Sequence, residues 1–301
     1  LRTNLTDALA RASWKVAADS GFNHSVILLT DGKIDMAEAG QDADKVNAAE
    51  RERLFSEVLP VYAAAGARIH TLALSEEADK ELLQQIVDLA REHELVVYSD
   101  EIYDKILYND AEHTCIASLA DDVFFVTFSG LSKNYRVAGF RAGWLVVSGN
   151  KRLAKHYIEG LNILSSMRMC ANVPCQSAIQ TALGGYQSIN DLVKPGGRLQ
   201  LQRDLAARRL NDIDGITCVP PNGAMYCFAK VDAEKFNIAN DEQMILDLLS
   251  SEKILLVHGR AFNLNEGIYF RLVFLPHSDI LGPAMDRIEN FFNGYRQKGK
   301  K

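Results

Sequence analysis

Two cations follow an apolar run in the stretch TFSGLSKNYRVAGFRAGW, residues 127–144. Lys133 and Arg141 lie there among small and apolar residues. A second polar group follows the apolar run ELVVY, where Asp100 and Tyr103 lie in SDEIYDKI. Ligands of open parallel sheets bind beyond the carboxyl ends of the strands. The sequence therefore predicts one site that combines an amine, a guanidinium, a carboxylate and a phenol.

Pyridoxal phosphate is a ligand that uses all of these groups. The amine of Lys133 would form a Schiff base with the cofactor aldehyde, and the carboxylate of Asp100 would keep the pyridine nitrogen protonated. The phenol of Tyr103 would hydrogen-bond the ring oxygen, while Ser132 and Arg141 would hold the phosphate. Arginine suits phosphate because its planar fork donates two parallel hydrogen bonds. The pattern predicts this cofactor, with Lys133 as the catalytic residue.

Each of these residues also has a purely structural interpretation. A Lys133–Arg141 pair alone would belong to a solvated loop. Asp100 alone could cap a helix, and Tyr103 could pack on the flank of that helix. Arg271 alone could form half of a surface ion pair. The ordered set of groups favours the site over these alternatives.

The elements that must position these groups follow an α/β rhythm. Short runs rich in Val, Ile, Leu or Phe predict strands covered on both faces, at 25–30, 68–74, 94–98, 123–128 and 144–148. Helical patterns lie between them, the clearest over 76–93. This alternation predicts an α/β protein with a mostly parallel sheet and helices on both faces.

The second half of the chain has a different pattern. A long charged helix is predicted over 191–212 and a closing helix over 279–296. Between them lie short predicted strands, near 216–219, 225–231, 254–258 and 268–274. We therefore expect a smaller α+β domain at the C-terminal end.

Composition narrows the function. The chain has 301 residues, of which 48% are hydrophobic and 24% charged, as in a soluble globular protein of about two domains. A net charge of −6 leaves no basic face for nucleic acid. Five cysteines without a C-x-x-C pair indicate reduced thiols and a cytoplasmic protein. No apolar run reaches membrane-spanning length, so no membrane partner is expected.

Stretches from about residue 80 to 298 resemble the bacterial glutamate–pyruvate (alanine) aminotransferases of the fold-type-I pyridoxal phosphate family. They include SDEIYDKILYNDAEH, FSGLSKNYRVAGFRAGW, PPNGAMYCFAKVDAEKFNI, LLVHGRAFN and FRLVFLP. The match assigns the same roles to Lys133, Asp100, Tyr103 and Arg141, and makes Arg271 the group that grips the substrate α-carboxylate. Many members have serine three residues before the lysine, where this chain has Gly130, so the assignment of Ser132 to the phosphate departs from the family pattern.

The resemblance implies the rest of the organisation. Residues 81–190 would be an incomplete large domain of the pyridoxal phosphate transferase type, and 191–301 the small C-terminal domain. The implied activity is amino-group transfer between an amino acid, such as alanine or glutamate, and a 2-oxo acid. Family members are homodimers, and part of their interface belongs to an N-terminal arm that this sequence lacks.

The first part of the chain, residues 1–80, resembles part of a von Willebrand factor A domain instead. In that family Thr3 and Asp31 would stand at metal-binding positions, but the D-x-S-x-S loop is missing. Two oxygen ligands make a poor site for a hard cation, so no bound metal is expected. A metal-dependent adhesion or interaction module, or an inactive fusion product, are the alternatives to an enzyme.

Several cofactor contacts of the family are also missing from the sequence. They are the N-P-x-x-P-T-G turn, the glycine-containing loop that meets the phosphate and the aromatic residue that stacks on the pyridine ring. Each lost contact is expected to weaken cofactor binding by about 1–3 kcal/mol. We therefore expect a transaminase whose affinity for its cofactor is reduced.

Overall fold

The computed structural model describes residues 80–262, 264 and 267–297, the strands 25–30 and 68–73, and the single positions 53, 56 and 57. The chain forms two compact units, residues 2–190 and residues 191–301. The boundary between an N-terminal segment and residue 81 remains a prediction.

The N-terminal unit is built on a five-stranded sheet with the order β1-β2-β3-β4-β5. The strands are β1 (Ser25–Thr30), β2 (Arg68–Ala73), β3 (Val96–Asp100), β4 (Phe124–Gly130) and β5 (Gly143–Gly149). Neighbouring strands from β1 to β4 pair in parallel, whereas β5 runs antiparallel to β4. The prediction of a mostly parallel sheet is thus confirmed.

The direction of β5 has a simple cause in its connection. Residues 131–142 join β4 to β5 with only a short 3-10 turn, Ala138–Phe140, between them. A parallel crossover needs a longer connection, usually a helix, so the chain returns antiparallel. β5 pairs with β4 over its whole length, from Gly143 opposite Gly130 to Gly149 opposite Phe124.

Helices cover both faces of this sheet, as the sequence predicts. Helix α1, Lys80–Glu92, places buried Leu83, Val87 and Ala90 against the face that carries Val97 and Phe125. Because side chains alternate along a strand, the residues between them point to the other face.

That other face carries Tyr98, Phe124 and Val126. Ala154, and Tyr157 of helix α2 (Lys155–Arg168), pack against these three residues. Tyr157 meets both Tyr98 and Phe124 edge-on, with ring centroids about 6 Å apart.

The structure corrects several predicted bounds. The strand predicted near 254–258 covers only Val257–His258. Strand β3 begins two residues later than predicted, because Glu94 takes a left-handed φ of 51° and Leu95 still bonds to the carboxyl end of α1. The strand therefore runs to Asp100 itself. The prediction of a single long helix over 191–212 is wrong. The structure has two separate helices there, α4 (Ile189–Val193) and α5 (Arg198–Asn211).

The break between α4 and α5 lies at the sequence KPGG. Proline disfavours helical backbone at the residue before it. Gly196 then takes a φ of 78°, which is left-handed. The helix α3, Val173–Gly184, precedes this pair in the chain.

The C-terminal unit has a four-stranded sheet with the order β6-β7-β9-β8, and all its neighbouring strands are antiparallel. The strands are β6 (Ile216–Cys218), β7 (Tyr226–Val231), β8 (Val257–His258) and β9 (Ile268–Val273). Helices α5, α6 (Asp241–Glu252) and α7 (Ser278–Gly294) accompany them. This is the predicted α+β arrangement.

The core of this unit is aromatic and apolar. Phe270 of β9 stacks on Phe292 of α7, and Phe236 meets Phe292 edge-on. All three rings are almost completely buried. Across the described residues, none of the helices is long and apolar enough for a membrane span.

Candidate active site

The ends of β3 and β4 bring two of the predicted site segments to one edge of the sheet. Asp100 is the last residue of β3 and lies in register with Phe128 of β4. The backbone N–H of Glu101 continues this pairing by donating to the Phe128 carbonyl, 2.8 Å away. Strand β4 ends at Gly130, and Lys133 follows in the next loop.

Lys133 and Tyr103 meet across these two strand ends. The Lys133 ammonium nitrogen lies 5.6 Å from the centroid of the Tyr103 ring. Tyr103 is buried and Lys133 is half-buried. The structure thus places the amine of Lys133, which follows β4, beside the phenol of Tyr103. Asp100 ends the neighbouring strand β3.

Backbone hydrogen bonds hold the loop that carries Lys133. The N–H of Leu131 donates to the Ala142 carbonyl at 3.0 Å, and that of Val137 donates to the Leu131 carbonyl at 3.2 Å. The side chain of Leu131 is buried beneath the loop. The N–H of Arg136 donates back to the Lys133 carbonyl at 3.0 Å. The amine is therefore carried by a closed, anchored turn.

A side-chain bridge ties this loop to the turn after β3. Asn134 is buried, and its amide donates a hydrogen bond to the carboxylate of Asp104. Burial raises the pKa of Asp104, although the bond from Asn134 opposes that rise. Sequence reasoning missed this pair, because nothing in the two quoted stretches that contain Asp104 and Asn134 indicates that these side chains contact each other. It keeps Lys133 and Tyr103, their respective chain neighbours, in fixed relation.

The carboxylate of Asp100 is held by its own turn. The N–H of Ile102 donates to Asp100 Oδ1 at 3.2 Å. Burial raises the pKa of Asp100, the hydrogen bond from Ile102 partly offsets that rise, and the neighbouring Glu101 adds to it. An ionised carboxylate in this position gains from a cationic partner, because the partner offsets the cost of burying its charge.

A second carboxylate lies directly beside it. Glu101 is buried, accepts a hydrogen bond from the Ser99 hydroxyl at 3.1 Å, and lies 3.0 Å from Nε2 of His113. Burial is the largest influence on its pKa and raises it, but the bond and charge of His113 with further hydrogen bonds leave the pKa of Glu101 below its ordinary value. The sequence offered no signal for this cluster.

We expect Glu101→Gln to destabilise the fold in a pH-dependent way. The folded-state pKa is depressed, so the ionised form stabilises the fold above the unfolded pKa of about 4.5, and this contribution is lost as pH falls through the folded pKa. Near pH 7 the variant should lose about 1–3 kcal/mol of unfolding free energy. Urea unfolding at pH 7 and at an acid pH below the unfolded pKa should show a smaller difference from the parent at the acid pH.

Glu92→Gln, at an exposed position, is the matched control and should change little at either pH. An equal loss for Glu101→Gln at both pH values would show that the charge of Glu101 does not contribute.

Two glycines allow β4 and β5 to approach closely where the lysine loop begins. A Cβ on Gly143 would lie 2.8 Å from the Ser129 carbonyl oxygen, and one on Gly130 would lie 3.0 Å from the Gly143 Cα. Gly130 occupies the position where many of the resembling enzymes have serine. The close approach of the Gly143 backbone gives a steric reason for glycine at position 130.

The groups predicted to hold a phosphate, Ser132 and Arg141, both lie in the connection between β4 and β5. Ser132 is half-buried beside Lys133 in the same loop. Arg141 is exposed, has a left-handed φ of 52°, and donates from Nη1 to the Ala138 carbonyl at 2.8 Å. The structure thus turns the guanidinium of Arg141 onto its own loop.

Arg271 lies in the C-terminal unit, on β9. It stands in register with Phe228 of β7. The carbon at the centre of its guanidinium is 4.4 Å from the Tyr226 ring centroid and 4.5 Å from that of Phe262. Within the described part of the chain, its buried Nε–H has no hydrogen-bond partner.

The proposed metal positions of the N-terminal segment, Thr3 and Asp31, lie outside the described residues. Among the residues that are described, no group of three or more His, Cys, Asp or Glu side chains could hold a metal ion.

The fold and the strand-end groups define the class of the protein. A mostly parallel sheet with helices on both faces, joined to a smaller α+β unit, is the architecture of the pyridoxal phosphate transferases. The family is given by the sequence match: residues 76–282 fit the model of "Aminotransferase class I and II". The chain belongs to this family, whose cofactor is pyridoxal phosphate.

Proteins with similar sequences are named as aminotransferases. The chain is 57% identical over 218 residues to the glutamate-pyruvate aminotransferase AlaA of Escherichia coli K12, which covers 72% of this chain and 54% of that protein. It is 56% identical over 217 residues to the alanine aminotransferase of Mycobacterium tuberculosis H37Rv, covering 72% of this chain and 51% of that one. The chain thus spans about half the length of these relatives.

Solved structures show the same fold. An aminotransferase from Escherichia coli superposes with a TM-score of 0.77 at 40% identity, covering 99% of this chain and 82% of the other. The alanine aminotransferase of Pyrococcus furiosus, at 24% identity, shares the fold with a TM-score of 0.71 over 96% of this chain and 81% of its own. The von Willebrand factor A interpretation of residues 1–80 receives no support from these comparisons.

Proposed function

We propose that the chain binds pyridoxal phosphate and transfers an amino group between an amino acid, such as alanine or glutamate, and a 2-oxo acid. The observation that carries this proposal is the meeting of Lys133 and Tyr103 at the strand edge where Asp100 ends β3. The relatives named for this reaction with alanine and glutamate–pyruvate support the choice of substrates.

The residues present fit the ring of this cofactor. An amine, a phenol and a half-buried carboxylate are the groups that its aldehyde, ring oxygen and pyridine nitrogen require. The carboxylate of Asp100 already bears the cost of burial, as its raised pKa shows. A protonated nitrogen nearby would offset that cost.

Each residue would then have a defined role. When bound, pyridoxal phosphate supplies an electron sink for the bond between the substrate α-carbon and its hydrogen. Lys133 would hold the cofactor covalently, give up that position to the substrate amine, and then carry the proton from the α-carbon. Asp100 would keep a positive charge at the pyridine nitrogen, and Tyr103 would orient the ring through its hydroxyl.

The phosphate would depend on Ser132 and Arg141. The Arg141 side chain must rotate away from the Ala138 carbonyl to reach such a ligand. An arginine can then bind two phosphate oxygens through parallel hydrogen bonds. The cost of this rotation is expected to weaken cofactor binding.

Arg271 would pair with the α-carboxylate of the amino acid and of the 2-oxo acid. Its guanidinium has no ion pair with any residue that the structure describes, so its charge is available. A bidentate arginine–carboxylate pair is among the stronger protein hydrogen-bond arrangements. Binding of both substrates should therefore depend on this side chain.

The assay that tests the proposal supplies the purified chain with pyridoxal phosphate, L-alanine and 2-oxoglutarate and measures pyruvate. The unsubstituted chain should form pyruvate, and Arg271→Ala should raise the KM of both substrates about 10–100-fold, since a charged hydrogen bond contributes about 1.5–3 kcal/mol. The exposed Arg287→Ala, in the same unit, is the control and should leave both KM values unchanged. Absence of pyruvate, or unchanged KM values in Arg271→Ala, would contradict the proposed function.

We also propose a homodimer in the cytoplasm, on the pattern of the family. An adhesion module of the von Willebrand factor A type has no observation in its favour among the described residues.

A further inference from the structure

Two aromatic rings lie against the guanidinium of Arg271. Several cations of the C-terminal unit have a carboxylate nearby: Arg209 meets Asp286 and Glu289, and Arg260 meets Asp241. Around Arg271 the described contacts are aromatic, from Tyr226 and Phe262. Among the described residues, ring faces and not a carboxylate therefore meet this charge.

Aromatic contact leaves the hydrogen-bond donors of the guanidinium available. A ring attracts the cation through its negative face and accepts no N–H bond in the guanidinium plane. The five N–H groups lie in that plane as a rigid fork. The buried Nε–H of Arg271 has no hydrogen-bond partner among the described residues, so at least this donor of the fork is left for a ligand. Available N–H donors of this kind can bind the carboxylate of a ligand.

The position of the Tyr226 ring follows from the sheet register. Phe228 lies opposite Arg271, and Tyr226 lies two residues earlier on β7. Residues two apart on a strand share a face, so Tyr226, Phe228 and Arg271 lie on the same face of the sheet. Phe228 in turn meets the Phe262 ring edge-on, with centroids 5.6 Å apart.

The position of the Phe262 ring depends on the 3-10 turn Gly259–Phe262, which follows β8. The turn lies tight against β9, because a Cβ on Gly259 would be only 2.9 Å from the Tyr269 Cβ. The fully buried carboxylate of Asp241, at the start of α6, accepts the backbone N–H of Arg260 at 2.9 Å. Two independent contacts thus fix the turn that carries Phe262.

We propose that Tyr226 and Phe262 are positioning residues that hold the guanidinium of Arg271 ready for a substrate carboxylate. This inference rests on the proposed function, in which Arg271 binds that carboxylate. Neither ring needs to touch the substrate. They limit the rotation of the side chain and screen its faces from water, so less ordering is required when the ligand binds.

The test follows the Nε–H signal of Arg271 by two-dimensional ¹H–¹⁵N NMR in the whole chain, without cofactor. The signal is assigned by its loss in Arg271→Lys. Sodium pyruvate is titrated at constant ionic strength, and the heteronuclear NOE of the same signal reports the mobility of the guanidinium. Phe262→Leu and Tyr226→Leu remove one ring each, while Phe262→Tyr and Tyr226→Phe keep it.

Both leucine variants should bind pyruvate about 3–10-fold more weakly and show a lower NOE before any pyruvate is added. Both variants that keep the ring should behave as the unsubstituted chain. The inference is overturned if a leucine variant with an unchanged thermal midpoint retains full pyruvate affinity and a high NOE, or if the ring-keeping variants lose affinity equally. If the unsubstituted chain gives no saturable shift with pyruvate, the carboxylate role of Arg271 fails and the positioning role fails with it.

Discussion

Replacing Lys133 with alanine is expected to abolish transamination, with a fall in kcat of at least about 10⁴-fold. The amine performs two tasks, covalent attachment of the cofactor and movement of the substrate proton, and alanine can do neither. The loop itself should survive, because its anchors are backbone hydrogen bonds and the buried side chains of Leu131 and Asn134. Pyruvate formation from L-alanine measures the loss.

The exposed Lys155→Ala provides the control for removal of a lysine from the same unit. It should leave kcat and the thermal midpoint unchanged. Activity in Lys133→Ala above about one ten-thousandth of the parent value would show that another group performs the proton transfer.

Asp100→Asn should lower kcat about 10²–10³-fold while the cofactor still attaches to Lys133. Asparagine keeps the shape of the side chain and can still accept the Ile102 N–H, but it carries no charge for a protonated pyridine nitrogen. Without that charge, the ring withdraws electrons less effectively from the substrate. The loss should therefore appear in kcat, measured at saturating L-alanine, more than in the amount of cofactor bound.

Asp110→Asn is a matched control, because Asp110 is exposed and has a left-handed φ of 60°, which asparagine tolerates. It should have no effect on kcat. A normal kcat in Asp100→Asn would mean that the carboxylate does not face the ring nitrogen, and a complete loss of cofactor attachment would mean that Asp100 acts on the loop of Lys133 instead.

The sequence predicted most strands well because their apolar runs are short and sharply bounded. The strands predicted at 25–30 and 68–74 were placed to within one residue of the observed Ser25–Thr30 and Arg68–Ala73. The direction of β5 was harder to anticipate from its own residues. It depends on the connection 131–142. This connection contains only a short 3-10 turn and no crossover helix, so it cannot return the chain for parallel pairing.

The proximity of the two segments that follow β3 and β4 was predictable for a related reason. Asp100 and Lys133 lie at the ends of neighbouring apolar runs, and the parallel sheet brings such ends together. The bridges that support them were not predictable, since Asn134 contacts Asp104 and His113 contacts Glu101 through tertiary packing. These pairs combine residues whose types are common in any loop.

Arg141 is a residue whose side-chain direction could not be predicted from the sequence. Its residue type and position suited a phosphate, but the left-handed backbone and the bond to the Ala138 carbonyl direct the guanidinium to its own loop. Local backbone conformation of this kind depends on the fold of the whole turn. The role of Arg141 in phosphate binding therefore remains a prediction.

The account depends most on the covalent attachment of the cofactor at one amine. The chain should be incubated with pyridoxal phosphate, reduced with sodium borohydride, digested and mapped by mass spectrometry. A pyridoxyl phosphate adduct on Lys133 at near-stoichiometric yield, lost in Lys133→Ala and retained in Asp100→Asn, is the predicted result. Low adduct levels spread over exposed lysines such as Lys155, and equal in the parent and in Lys133→Ala, would contradict it.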